Sequence, residues 1–137
     1  MSVKIEDIMI SDVKTLDVSS TVKDVVKEMD KNEIGSVIIT KEGKPIGIIT
    51  ERDIVQKVVV KDKDANKLTA SEIMSSPLKT GNKSMSLLDA VRILVLNRIK
   101  KLPILDDNGS LIGIISLFDL VRWAPLIQQM SEKEDLL

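Results

Sequence analysis

The chain repeats itself, and the repeat dictates what it can fold into. Ile8-Met9 recurs as Ile73-Met74, Thr21-Val22-Lys23-Asp24 as Ser86-Leu87-Leu88-Asp89, and Asn32-Glu33-Ile34 as Asn97-Arg98-Ile99, all at one spacing. After a one-residue insertion around Asp107-Asn108, Gly43 matches Gly109. The run from Gly47 to Val55 (GIITERDIV) then matches the run from Gly113 to Val121 (GIISLFDLV). The insertion falls in a Gly-containing turn, where a change of length is well tolerated. Matching that keeps its phase across a whole unit marks a duplication. A single copy has too little interior to be stable alone. The two copies are therefore expected to pack their sheets about a pseudo-two-fold axis, with two related clefts between them.

Each copy reads as β-α-β-β-α, an α+β arrangement. Val13–Asp17, and Leu78–Thr80 in the second copy, is the expected first strand. Thr21 with Asp24, and Ser86 with Asp89, cap the helix that follows. Its apolar face is Val22, Val25, Val26 and Met29, the i, i+3, i+4, i+7 pattern. Two β-branched runs, Ser36–Thr40 and Pro45–Thr50, are joined by a Gly43 turn into a hairpin. Their second-copy equivalents are Lys101–Asp106 and Leu111–Ser116. A closing helix carries Ile54, Val55, Val58 and Val59, and its counterpart begins at Leu117. Pro125 should kink or stop that counterpart. The division expected is residues 1–60 for the first copy, a polar linker over 61–67 without a core face, 68–128 for the second copy, and a tail over 129–137 that frays from Ser131.

What is missing narrows the chemistry. The 137 residues contain no cysteine, histidine or tyrosine, so disulfides, thiolate metal sites, a Cys nucleophile and a His base are excluded. Any catalysis would fall to Asp, Glu, Lys, Ser or Thr, and no catalytic residues and no metal site are expected. The net charge of −1 creates no broad field toward nucleic acid or anionic membrane. Phe118 and Trp123 are the only aromatic residues, too few for base stacking. No apolar stretch reaches the length of a membrane span, and the acidic start Lys4-Ile5-Glu6-Asp7 does not resemble a signal peptide. A cytoplasmic protein is expected. Asp62, Asp64 and Asn66 imitate the start of a calcium loop, but the required glycine is Lys67 and position twelve is Ile73.

The informative chemistry lies in Gly-Ile-Ile-Thr-x-x-Asp and Gly-Ile-Ile-Ser-x-x-Asp, each at a strand-to-helix junction. Thr50 or Ser116 ends the strand where free helix N–H groups favour an anion. Asp53 or Asp119, three residues on, offers two acceptor oxygens suited to a sugar diol. The same spacing also makes a helix capping box, which needs no ligand. Thr21/Asp24 and Ser86/Asp89 read as caps alone. Thr50/Asp53 and Ser116/Asp119 differ in context, because each follows Gly and two isoleucines and closes its copy.

With these elements the sequence resembles a tandem pair of cystathionine β-synthase (CBS) domains, from about Val3 to Val121. The matching elements are Ile5-Glu6-Asp7-Ile8-Met9 with Ala70-Ser71-Glu72-Ile73-Met74, Ile34-Gly35-Ser36-Val37-Ile38, Lys101-Leu102-Pro103-Ile104, and both terminal motifs. The resemblance implies two tandem β-α-β-β-α CBS repeats that bind an adenosyl ligand, whether AMP, ADP, ATP or S-adenosylmethionine, as a regulatory ligand and not as a catalytic cofactor. It implies one cleft using Ser116, Asp119 and Ile114 with Val13, Ile34 and Gly35. The other would use Thr50, Asp53 and Ile48 with Leu78, Ile99 and Lys100. The Asp residues would hold ribose and the Ser/Thr residues would lie near phosphate, while aliphatic side chains sandwich adenine.

Two asymmetries accompany the repeat. The neutral Ile34-Gly35-Ser36-Val37 corresponds to Ile99-Lys100-Lys101-Leu102, whose amines could neutralise phosphates. Lys23, Glu28, Asp30 and Lys31 correspond to Leu88, Ile93, Val95 and Leu96, leaving the second-copy helix apolar almost all round. A homodimer contact is expected there, with Trp123 and Leu126 contributing, unless the C-terminal segment folds over it. The leading reading is an energy-sensing regulatory module whose state a regulated protein reads. The alternative is a structural dimerisation or interaction module with vestigial clefts.

Overall fold

The computed structural model describes residues 4–123. They form two compact units: Val13–Leu78, and the described parts of Met1–Asp12 and Lys79–Leu137. Units of packing and copies of sequence therefore have different boundaries. The opening turn of each copy, Ile5–Ile8 or Ala70–Ile73, packs into the core formed by the helix and strands of the other copy, a placement no local pattern announces.

In the unit from Val13 to Leu78, the helix α2 (Val22–Asn32) begins where expected. Thr21 Oγ1 accepts from Asp24 N–H at 3.1 Å, and Asp24 Oδ2 accepts from Thr21 N–H at 3.0 Å. The carbonyls of Leu68 and Ala65 accept the next free donors, Val22 N–H at 2.8 Å and Lys23 N–H at 2.9 Å. Ala65, within the stretch 61–67 expected to be a linker without a core face, packs against the core, as does Leu68 just beyond it. Val22, Val25 and Met29 are buried on one side of α2, while Lys23, Lys27, Asp30 and Lys31 are exposed.

Strand β1 (Thr15–Asp17) runs parallel to β2 (Ser36–Lys41), which pairs antiparallel with β3 (Lys44–Thr50), in the order β1-β2-β3. Gly43 turns the hairpin at φ +78°, a conformation open mainly to glycine. Val37, Ile39 and Ile49 face the buried side of α2. The closing helix α3 (Glu51–Ile54) widens into a π turn over Val55–Val59. Each residue of a wider turn advances less about the axis, so the expected Ile54/Val55/Val58/Val59 stripe does not stay on one face. Val58 is buried and Ile54 half-buried, whereas Val55 and Val59 are exposed. The helix α4 (Ala70–Ile73) buries Ala70 and Ile73 in the same core. Beyond it, Ser75 pairs with Ile48 through two backbone hydrogen bonds of 2.9 and 3.1 Å.

The other unit repeats the plan. The helix α1 (Ile5–Ile8) buries Ile5 and Ile8 against α5 (Leu87–Leu96), β5 (Lys101–Leu105) and β6 (Leu111–Ser116). Ile10 pairs with Ile114 through two bonds of 2.9 Å, as Ser75 does with Ile48. Residues 117–123 are helical and form α6 as far as it is described. The first strand, β4, is Gly81–Asn82 rather than the expected Leu78–Thr80, and the sheet order is β4-β5-β6. Gly81 stands opposite Ile104 as Leu16 stands opposite Ile39. Met85 occupies the missing side chain's space, since a Cβ on Gly81 would lie 2.6 Å from its sulfur. Strand β5 stops one residue before the expected Asp106, whose Oδ1 accepts the N–H groups of Asn108 and Ser110 at 2.9 Å and shapes the turn.

Ile93 and Trp123 pack against this unit's own core, not outward as the dimer expectation had them. Leu88, Val95 and Leu96 are exposed. Pro125, Leu126 and the tail from Ser131 lie outside the described residues. Among the described residues no helix is long and apolar enough to cross a membrane.

Candidate functional site

Burial separates the two closing motifs from the other capping boxes among the described residues. The buried polar or charged residues among those described are three: Asp53 at 8 % exposure, Ser116 at 7 % and Asp119 at 4 %. All belong to the strand-to-helix junctions, whereas Asp24 and Asp89 in the other boxes are exposed. A carboxylate is costly to bury without hydrogen bonds, so its partners decide what it can do.

At the second junction the box is tight. Asp119 Oδ2 accepts from Ser116 N–H at 3.0 Å and from the Ser116 hydroxyl at 2.9 Å, and Asp119 N–H donates to Ser116 Oγ at 3.0 Å. At the first junction Thr50 N–H lies 2.9 Å from Asp53 Oδ2, but the two bonds of the hydroxyl are longer: to the same oxygen at 3.3 Å, and from Asp53 N–H to Thr50 Oγ1 at 3.4 Å. Both boxes use Oδ2, so capping alone accounts for only half of each carboxylate. Asp53 Oδ1 lies 3.0 Å from the Lys57 ammonium and accepts from the Ser75 hydroxyl at 3.5 Å.

The glycines of the two motifs have a role that the sequence reading missed. A Cβ on Gly47 would lie 2.6 Å from Met74 Sδ and 3.1 Å from Ser75 O. One on Gly113 would meet Met9 in the same way and lie 3.1 Å from Ile10 O. Met9 and Met74, which follow α1 and α4, thus lie against the strands that deliver Asp119 and Asp53. Their recurrence alongside Gly-Ile-Ile was the available signal.

The wall candidates fall as follows. Ile48 and Ile114 are half-buried, paired with Ile38 and Pro103 inside the sheets. Val13 and Leu78 are half-buried at the two ends of the unit Val13–Leu78. Ile34 and Ile99 pack against the cores of their respective units. The turn containing each is tied to its own unit's closing helix: Glu51 N–H donates to Gly35 O at 3.1 Å, and Leu117 N–H to Lys100 O at 3.0 Å. The Lys100 side chain is exposed. Ile34 and Gly35 line an open hollow of about 470 Å³ with Val26, Met29, Ile54 and Val55, rimmed by Asp30, Glu33 and Glu51. That rim repels phosphate, and neither Thr50 nor Asp53 lines the hollow.

Comparison with known proteins agrees with this architecture. An uncharacterized protein of Methanopyrus kandleri is 40% identical over 134 residues, spanning 97% of this chain and 68% of its own. The hexameric CBS-CP12 protein of bloom-forming cyanobacteria superposes with a TM-score of 0.80 at 32% identity, covering 88% of this chain and 67% of that one. The CBS domain pair of protein MJ0100, solved in complex with 5′-methylthioadenosine and S-adenosyl-L-methionine, superposes with a TM-score of 0.82 at 25% identity, covering 91% and 98%. The CBS domain family model matches residues 5–60 and again 70–125, so the chain belongs to the CBS domain family as a tandem pair.

Proposed function

We propose that the chain is a regulatory module that binds an adenosyl ligand, AMP, ADP, ATP or S-adenosylmethionine, at its Ser/Thr-x-x-Asp junctions without transforming it. One observation carries the reading: the buried polar residues among those described all sit in these two motifs. A buried carboxylate whose second oxygen is not needed for capping is a receptor for the paired hydroxyls of ribose. Val13, Ile34, Gly35, Ile48, Leu78, Ile99, Lys100 and Ile114 are the proposed wall residues, mostly aliphatic and suited to the faces of a purine. The adenosyl compounds in the MJ0100 pair support the ligand class.

The same reading places the protein in the cytoplasm and gives it a second copy of itself as partner. Leu88, Val95 and Leu96 of α5 and Phe118 and Val121 of α6 are exposed apolar side chains that a second copy would cover. The regulated protein would respond to the ligand-dependent state. Sedimentation that shows only monomer at high concentration removes the self-association.

Thermal unfolding with each ligand is the decisive measurement. A ligand at a hundred times its Kd adds about 2.7 kcal/mol to stability, which raises Tm by several degrees. If none of the four ligands moves Tm, the adenosyl reading is wrong and a structural interaction module takes its place.

A further inference from the structure

The two junctions do not offer the same carboxylate. We infer that Lys57 is a built-in counter-ion that closes the Asp53 site, so that the pair takes up one adenosyl ligand per chain, at Asp119; this rests on the adenosyl reading above.

Both oxygens of Asp53 are engaged by the protein itself. Oδ2 serves the cap, and Oδ1 holds the Lys57 ammonium at 3.0 Å with the Ser75 hydroxyl beside it. Lys57 is anchored a second time, donating from Nζ to Ile73 O at 2.8 Å. The side chains of the pair are 40% and 11% exposed, so a ribose diol that displaced the ammonium would leave a partly buried charge without its partner.

Both side chains of that clamp are absent at the other junction. The position equivalent to Lys57 is Trp123, and the position equivalent to Ser75 is Ile10. The nearby cation on α6, Arg122, lies 5.4 Å over the Phe118 ring. Among the described residues Asp119 Oδ1 accepts no hydrogen bond and faces no cation, although the residue is more deeply buried than Asp53. Among the described residues no buried side-chain oxygen lacks a partner, so Oδ1 is the reachable edge of a buried residue, and an oxygen that no protein donor satisfies gains most from two ligand hydroxyls.

Calorimetric titration with AMP and with S-adenosylmethionine reads the stoichiometry directly. Wild type should bind one equivalent per chain, lost in Asp119→Asn, and Lys57→Met should bind two. Two equivalents in wild type, or one in Lys57→Met, overturns the inference and leaves the adenosyl reading standing. No binding of either probe to either protein overturns both. A readout that needs no ligand is the urea midpoint of Lys57→Met, Asp53→Asn and the double variant. The double variant should unfold at about the midpoint of the weaker single one. Additive shifts show that the two groups do not interact, and refute the clamp.

Discussion

Replacing Ile5 by alanine should destabilise the protein as severely as a substitution at the centre of a core, although Ile5 lies near the start of the chain. Its side chain is fully buried, in one cluster with Ile8, Leu87, Ala90, Leu94, Leu102, Ile104 and Ile115. The substitution removes three carbons, worth about 0.8 kcal/mol each in lost transfer free energy. The surrounding strands and α5 are held by their own hydrogen bonds and will not close the gap fully, so a cavity contribution brings the total to roughly 3–4 kcal/mol. For a chain of this length that lowers Tm by roughly 10–15 °C. Ile10→Ala is the matched control. Ile10 is 47% exposed, and its two bonds to Ile114 are made by backbone, so the loss should stay near about 1 kcal/mol. Urea unfolding at constant slope measures both. If Ile5→Ala shifts the midpoint no further than Ile10→Ala, α1 is not a core element, and the assignment of residues 4–12 to the unit of the second repeat fails.

Gly47→Ala places a Cβ 2.6 Å from Met74 Sδ and 3.1 Å from a backbone carbonyl, so it should lower stability by about 1–3 kcal/mol in urea unfolding. Adding Met74→Ala should recover the part due to the sulfur, and an unchanged midpoint in the single variant refutes the close approach. Asp17 is held below its ordinary value of 3.8 chiefly by the Ser19 hydroxyl and then by Ser19 N–H, so Ser19→Ala should raise it, as read by NMR titration of the carboxyl. The sign follows from the lowered folded value: the contribution is present above the unfolded pKa and lost as pH falls through the folded one. No movement of Asp17 in Ser19→Ala would falsify that origin.

Local signals in the sequence carried well where the structure is local. Thr21 to Asn32 reads as a helix because its cap and its 3.6-residue stripe are written within one segment, whereas its left-handed end falls on Glu33, a residue type that does not announce one. The hairpin reads equally well, since Gly43 and two β-branched runs need nothing distant. The segments Ile5–Ile8 and Ala70–Ile73 are a single turn each, too short for a periodicity, and their place is set by methionines lying on glycines far along the chain. The first strand of the second repeat slipped for a similar reason. Gly81 has no strand preference, and its position follows from Met85 filling the space above it.

The candidate site shows the same limit one level up. Thr21-x-x-Asp24, Thr50-x-x-Asp53, Ser86-x-x-Asp89 and Ser116-x-x-Asp119 are one motif four times, and each forms the reciprocal box that its spacing encodes. What divides them is burial, which depends on the sheet behind each junction and so cannot be read from four residues. Among the two buried pairs, the next division is made one helical turn further on, at a spacing where side chains meet. Lys57 stands there in one repeat and Trp123 in the other. A cation at that position engages the carboxylate's second oxygen; an indole packed on the core leaves that oxygen without a protein donor. Duplication supplied two copies of one capping motif, and residues outside it, Lys57 against Trp123 and Ser75 against Ile10, make the two carboxylates chemically different.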